Sequence, residues 1–205
     1  ERVYTRPVTP EQFDEVSTNV ETWFGTRGIS KQTLSDLQVT EGSEWMPQTS
    51  KNENTIQFNY FMGDQLINIK YRDGRKNFKL YKGAEKVFYN INSVVGYDWC
   101  VVVEGEMDVL ALHEAGIKNA ISVPNGATLN TNNLDYLDNC IDYLDDKTKI
   151  ILAVDADAAG QALRTEFIRR LGAEVCYLVD FNGQKDANEY LIENGAEALR
   201  NAIHK

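Results

Sequence analysis

The sequence predicts an α/β chain: a small α+β unit in the first half, then a four-stranded parallel sheet with flanking helices. Three observations predict it. Trp99–Val103 (WCVVV) and Ile150–Val154 (IILAV) are apolar without a polar break, as in strands covered on both faces. Each is followed by acids and then by a helical pattern, so strands and helices alternate in the second half. The first half instead carries two strand-like runs around Gly63-Asp64, a hairpin with glycine at the first central turn position.

In chain order, Thr9 to Gly25 reads as a helix, with Thr9 as cap, Pro10 at the first position and acids in the first turn. Phe13, Val16, Val20, Trp23 and Phe24 would form its apolar face. A short helix, Lys31 to Leu37, restarts after Gly28-Ile29-Ser30. The hairpin strands are Thr55–Met62 and Gln65–Tyr71. In the second half the predicted strands are Trp99–Val103, Asn119–Val123, Lys149–Val154 and Glu174–Val179. The predicted helices are Met107–Ala115, Asn132–Leu144, Gly160–Leu171, Asp186–Glu193 and Ala196–Ile203, with Gly116 and Gly172 where C-terminal caps belong. Four strands separated by helices imply right-handed crossovers. The change of pattern near Ser93–Gly96 predicts two domains, 1–95 and 96–205.

Composition narrows the function classes. The chain has 205 residues, 42% of them apolar, enough for a real core. It starts at Glu1, which predicts a fragment of a larger protein. No apolar run approaches the roughly 20 residues of a membrane span, and no signal peptide is visible. Cys100, Cys140 and Cys176 are scattered and odd in number, as reduced buried thiols of a cytoplasmic protein are. With no CxxC and only His113 and His204, no zinc site is expected. The net charge of −10 is uneven: residues 1–95 hold twelve basic and twelve acidic side chains, residues 96–205 nine and nineteen.

The acids that follow the apolar strands are the chemical signal. Asp155 and Asp157 stand at the carboxyl end of a buried strand, the edge where open α/β sheets bind ligands. Two carboxylates this close repel unless a cation lies between them, and hard oxygens suit Mg²⁺ or Mn²⁺. Capping of the next helix is an equal alternative for one of them. A second stretch shifts the balance toward metal: Trp99–Val103 ends in Glu104-Gly105-Glu106-Met107-Asp108, with Asp108 about one turn into its helix.

VVVEGEMD and ILAVDADAAG together resemble the two signatures of the Toprim domain, the Rossmann-like metal-binding fold of bacterial-type primases, type IA and II topoisomerases and some nucleases. Residues 183–191, GQKDANEYL, resemble the KDANE segment of phage T7-type and Twinkle-type primase–helicases. TWFGTRGISKQT resembles the RGIS entry of primase polymerase modules, although alone it reads as a helical hairpin. Lys70 to Lys86 holds seven basic residues against Asp73 and Glu85, with Tyr71, Phe78 and Tyr81 interleaved. An arbitrary run of this kind is a solvated face. This one resembles the K-x-R-x-x-x-K-N-F-K segment of the T7-type primases, whose lysines contact nucleotide phosphates.

The resemblance implies DNA primase activity, nucleotidyl transfer that makes RNA primers for replication, in a primase–helicase of a phage or mobile element. It implies Mg²⁺ or Mn²⁺, two ions, held by Asp155, Asp157 and Asp186. Glu104 would be a ligand or general base, and Asp108 an outer support or further ligand. Lys70, Arg72, Lys76 and Lys79 would bind nucleotide, with Arg75 and Lys82 behind them. Asn125 and Gly126 lie in a loop at the same sheet edge, where either loop geometry or a site role explains them. No direct role is expected of Glu106 or Glu189. The implied partners are single-stranded DNA, ribonucleoside triphosphates and a replicative helicase, in the cytoplasm of a bacterial host or phage-infected cell. A Toprim nuclease and a non-catalytic, primase-like part of a helicase are the alternatives. A topoisomerase would need a tyrosine-bearing cleavage domain.

Overall fold

The computed structural model describes residues 3–126 and 134–205. Its first half opens with two short helices, α1 (Thr18–Gly25) and α2 (Lys31–Asp36). A four-stranded antiparallel meander follows: β1 (Thr40–Met46), β2 (Lys51–Met62), β3 (Gln65–Asp73) and β4 (Phe78–Leu80), in that spatial order. Gly63 at the β2–β3 turn has φ +58, the positive value that a tight hairpin asks of its first central residue. Phe58 and Tyr60 of β2 and Ile67 of β3 are buried in the core.

The second half is the predicted doubly wound unit. Its strands are β5 (Trp99–Val103), β6 (Ala120–Ser122), β7 (Lys149–Leu152) and β8 (Cys176–Leu178), all parallel in the order β6-β5-β7-β8. Its helices are α3 (Glu106–Glu114), α4 (Asp135–Asn139), α5 (Ala158–Leu171), α6 (Ala187–Asn194) and α7 (Ala196–His204). Central β5 is apolar throughout because both its faces are covered: Cys100 to Val103 are fully buried. Burying such a side chain contributes about 1.5–3 kcal/mol. Cys100 and Cys140 are buried free thiols, and Cys176 is half-buried.

One continuous core joins the two sheets. Tyr89 forms an isolated bridge to Ser122 of β6 and packs its ring against Phe58 and Tyr60 of β2. Elsewhere Glu114 of α3 accepts from the Ser30 backbone N–H at 2.6 Å, and His113 lies 2.9 Å from Asp36.

Several elements depart from the sequence reading. The helix predicted from Thr9 starts only at Thr18; residues 9–17 contain no helix, and Ser17 caps α1 by accepting from the Val20 N–H. Phe13 instead packs edge-on against Phe61 with centroids 5.5 Å apart. β1 and β4 were not predicted. The helix predicted over 132–144 is α4 followed by a 3₁₀ turn, Ile141–Tyr143; its first residues lie outside the described residues.

Candidate metal and nucleotide site

Strand ends and helix starts build the acidic side of a cleft. At the end of β5 the chain turns through Gly105 into α3, which places Asp108 one turn in, buried and facing the same sheet edge. β7 ends just before Asp155. Glu104 Oε1 accepts from the Asp155 backbone N–H at 2.9 Å, tying the two strand ends together. α5 then approaches so closely that a Cβ on Gly160 would overlap the Asp155 carbonyl and the Glu104 carboxylate. Glycine is the residue that allows this approach.

Asp108, Asp155 and Asp186 converge: one carboxylate oxygen from each lies within 4.8 Å of the others. Burial pushes the Asp108 carboxyl well above the ordinary range, and Asp186, Asp155 and Glu104 add to the rise against the Asn188 N–H it accepts at 3.0 Å. Asp155 is raised too, first by burial, with Lys185 opposing and Asp186 and Asp157 adding. Carboxyl groups crowded at an oxygen-rich edge fit a hard divalent cation.

Two of the predicted ligands also cap helices. Asp157 is exposed and caps α5, accepting from the Gly160 N–H at 2.8 Å. Asp186 also caps a helix, accepting from Glu189 N–H at 2.9 Å, yet its position at the head of α6 keeps it in the cluster. Asp108, cast from the sequence as an outer support or further ligand, stands inside the cluster, and Asp157 outside it.

Across the cleft stand cations from the first half: Arg27 after α1, Arg72 on β3 and Lys76 in the β3–β4 turn. The concavity, about 420 Å³, is lined on one side by Asp108, Asp155 and Asp186 and on the other by Arg27, Arg72 and Lys76. Gly126 and Lys185 also reach it. Arg72 and Arg27 lie over the Trp23 ring at 4.5 and 3.9 Å. Lys76 sits at φ +65 in a turn closed by Asp73, whose Oδ1 accepts from the Arg75 and Asn77 N–H groups at 2.9 and 2.8 Å.

Not every predicted cation faces the acids. β4 pairs Lys79 with Tyr71, so its side chain takes the meander's other face and its ammonium meets Glu44 and the Trp45 carbonyl, each at 2.5 Å. Lys82 and Asn125 are exposed and do not line the cleft, and Arg75 lines a neighbouring groove. Lys70 is not part of an exposed segment: it is 8% exposed, with its ammonium 2.9 Å from Glu106, which also accepts from the Tyr60 hydroxyl. Glu106 was passed over in the sequence because its neighbours Glu104 and Asp108 fill the motif. Arg27 and Lys185 were missed as well, although each lies in a stretch singled out, RGIS and KDANE. Lys185 Nζ lies 3.5 Å from Asp155 Oδ2, and its pKa is raised first by that carboxylate.

Comparison with known proteins agrees with this geometry. Residues 101–191 match the family model described as Toprim-like. The chain is 34% identical to the primase homolog protein of Arabidopsis thaliana, over 97% of this chain and 63% of that protein. It is 32% identical to the Twinkle homolog protein, chloroplastic/mitochondrial, of the same plant, over 97% of this chain and 30% of that protein. The chain thus spans less than two thirds of either relative. The crystal structure of the primase fragment of the bacteriophage T7 primase-helicase protein superposes with a TM-score of 0.73 at 25% identity, covering 88% of this chain and 73% of that one. The zinc-binding and RNA polymerase domains of Aquifex aeolicus primase share the fold, with a TM-score of 0.70 at 14% identity over 92% of this chain and 56% of that one. Residues 101–191 thus match a Toprim-like domain, and over nearly its whole length the chain is similar to primase homologues.

Proposed function

We propose that this chain is the catalytic module of a DNA primase, which joins ribonucleotides into short RNA primers on single-stranded DNA. The observation that carries this reading is the single cleft with Asp108, Asp155 and Asp186 on one wall and Arg27, Arg72 and Lys76 on the other. A site that takes only a phosphodiester and a metal, as a nuclease does, has no need of three cations from the other half of the chain.

Asp108, Asp155 and Asp186 would hold divalent metal, Mg²⁺ or Mn²⁺, with Asp157 and Glu104 near enough in sequence to complete a second site. Such an ion, when bound, would offset charge on the phosphoryl oxygens and so favour in-line displacement at phosphorus. The chain's own groups supply the rest. Arg27, Arg72 and Lys76 bind the triphosphate, the arginines through paired N–H donors and the lysine as a point charge. Glu104 at the end of β5 takes the proton from the 3′-hydroxyl of one nucleotide. That oxygen bonds to the α-phosphorus of the next, the bond from α-phosphorus to the bridging oxygen breaks, and pyrophosphate leaves. Lys70 acts from beneath, holding Glu106 and so the start of α3.

Residues 1–95 and 96–205 are the two working halves of this module, one for nucleotide and one for metal. A template reader and a replicative helicase would be its partners. A reducing compartment suits the three free thiols: the cytoplasm of a bacterial or phage-infected cell, or an organelle interior such as the Twinkle homologue's name indicates. Among the described residues no helix is long and apolar enough to cross a membrane.

The test is synthesis. With labelled ribonucleoside triphosphates, Mn²⁺ and single-stranded DNA, the wild type should make short oligoribonucleotides, and Asp155→Asn should make none. Nicking of plasmid DNA without oligoribonucleotide synthesis would replace primase by nuclease. Neither activity, with nucleotide still bound, would leave a non-catalytic module.

A further inference from the structure

A second groove adjoins the cleft. It is about 460 Å³ and lies on the far side of Arg27, Arg72 and Lys76, which line both concavities. Those three side chains form a basic ridge with the acids on one side and this groove on the other. The groove's floor is apolar: Val20 and Trp23 from α1 and Ile56 from β2. Arg75 adds a fourth cation at its rim. Its one acid, Asp73, is spent on the turn, where both oxygens accept from Asn77 or Arg75. Among the described residues none of Arg27, Arg72, Arg75 and Lys76 forms an ion pair.

Four unpaired cations around an apolar floor match an anion that carries an apolar body. The two guanidiniums over the Trp23 ring extend a flat surface on which a planar group can stack. A nucleotide unit has both properties. A single triphosphate would be used up by the acidic cleft and the ridge, so a unit beyond the ridge belongs to a strand that continues past it. When the first bond is made in primer synthesis, the only strand present is the template. We propose that this groove holds one nucleotide of single-stranded DNA, its phosphate against Arg75 at the rim and its base over Trp23 and Ile56. The proposal rests on the primase reading.

Asn19 provides the test. It is an exposed residue in the first turn of α1, lines only the groove, and makes no contact with the acidic cleft. Asn19→Glu puts a carboxylate in the groove where helix α1 tolerates one, and Asn19→Trp fills the space. Binding of a labelled short oligothymidylate should weaken by about fivefold or more in Asn19→Glu, as a charge set against a phosphate strand does, and more steeply at low salt. Asn19→Trp should weaken it also, through bulk alone. Affinity for ATP with Mn²⁺, measured on the same samples, should not change. Unchanged oligothymidylate binding in both variants, with ATP binding intact, would overturn the groove and leave the primase reading standing. Equal loss of ATP and DNA binding would overturn it as well, because the groove would then belong to the triphosphate site. Oligouridylate bound more tightly than oligothymidylate and weakened in parallel would assign the groove to RNA instead. A wild type that binds neither ATP nor DNA would defeat the primase reading itself.

Discussion

Lys70 and Lys76 lie six residues apart in one basic run, yet they do different things. Lys70 is inside, with Glu106 and the Tyr60 hydroxyl around it. Removing one partner of a buried pair leaves the other charged and desolvated, a loss of about 3–5 kcal/mol. Lys70→Met should therefore destabilise the chain by about that amount in urea unfolding, whereas Lys76→Ala, at an exposed position, should stay within about 0.5 kcal/mol of wild type. Equal stability of both variants would show that the Glu106 pair is not formed. Alternation along β3 makes this partly legible in the sequence: Lys70 shares a face with Arg72, and Lys79, paired with Tyr71, does not. What the sequence does not show is how deep that face is buried, because Tyr60 and Glu106 reach Lys70 from a neighbouring strand and from the start of α3.

At the scale of elements, the strands of the parallel sheet were the most legible, since a strand buried on both faces leaves an unbroken apolar run. β1 was not: Thr40–Met46 has only its two ends buried and is held by pairing with β2 rather than by its own pattern. The helix start at Thr9 failed for a related reason. Its Thr-Pro-Glu signal is sound, but Phe13 gains more against Phe61 outside a helix, and Ser17 supplies a competing cap whose own N–H is taken by Glu41 at 2.7 Å. Two element-scale predictions follow from contacts. Gly160→Ala should lose about 1–3 kcal/mol, the usual cost of overpacking, and should weaken Mn²⁺ binding, because the Asp155 carbonyl and Glu104 must move; a variant with unchanged Mn²⁺ titration calorimetry would show that the strand ends are free to shift. Asp73 governs the turn between β3 and β4. Burial alone would raise its carboxyl, but the Asn77 side chain, with the Asn77 and Arg75 backbone N–H groups, holds it below its ordinary 3.8. A depressed carboxyl adds stability that is complete above that ordinary value and is lost as the pH falls through the folded one. Acid titration of the fold should therefore show a loss below pH 3.8 that Asp73→Asn reduces; an identical acid profile in the variant would remove Asp73 from that role.

For the whole molecule, charge carries the logic. The net −10 lies in the half that holds the acids, and the other half is neutral overall, with Arg27, Arg72 and Lys76 among the cations it places at the cleft. The sequence showed the acids plainly, because strand-acid-helix order puts them at one sheet edge. That Arg27, Arg72 and Lys76 stand opposite them depends on the packing of Phe58 and Tyr60 against Tyr89, which no local pattern encodes. If the two halves form one site, triphosphate at the cations and metal at the acids must reinforce each other, and the coupling must be reciprocal. The most direct measurement is an ATP titration with and without Mn²⁺, on wild type and Asp155→Asn. ATP affinity should rise by about fivefold or more with Mn²⁺ in the wild type, a coupling of ordinary size. Asp155→Asn should abolish that rise while leaving the metal-free affinity unchanged. ATP binding indifferent to Mn²⁺ in the wild type, or a rise that survives in Asp155→Asn, would contradict a shared site between the two halves.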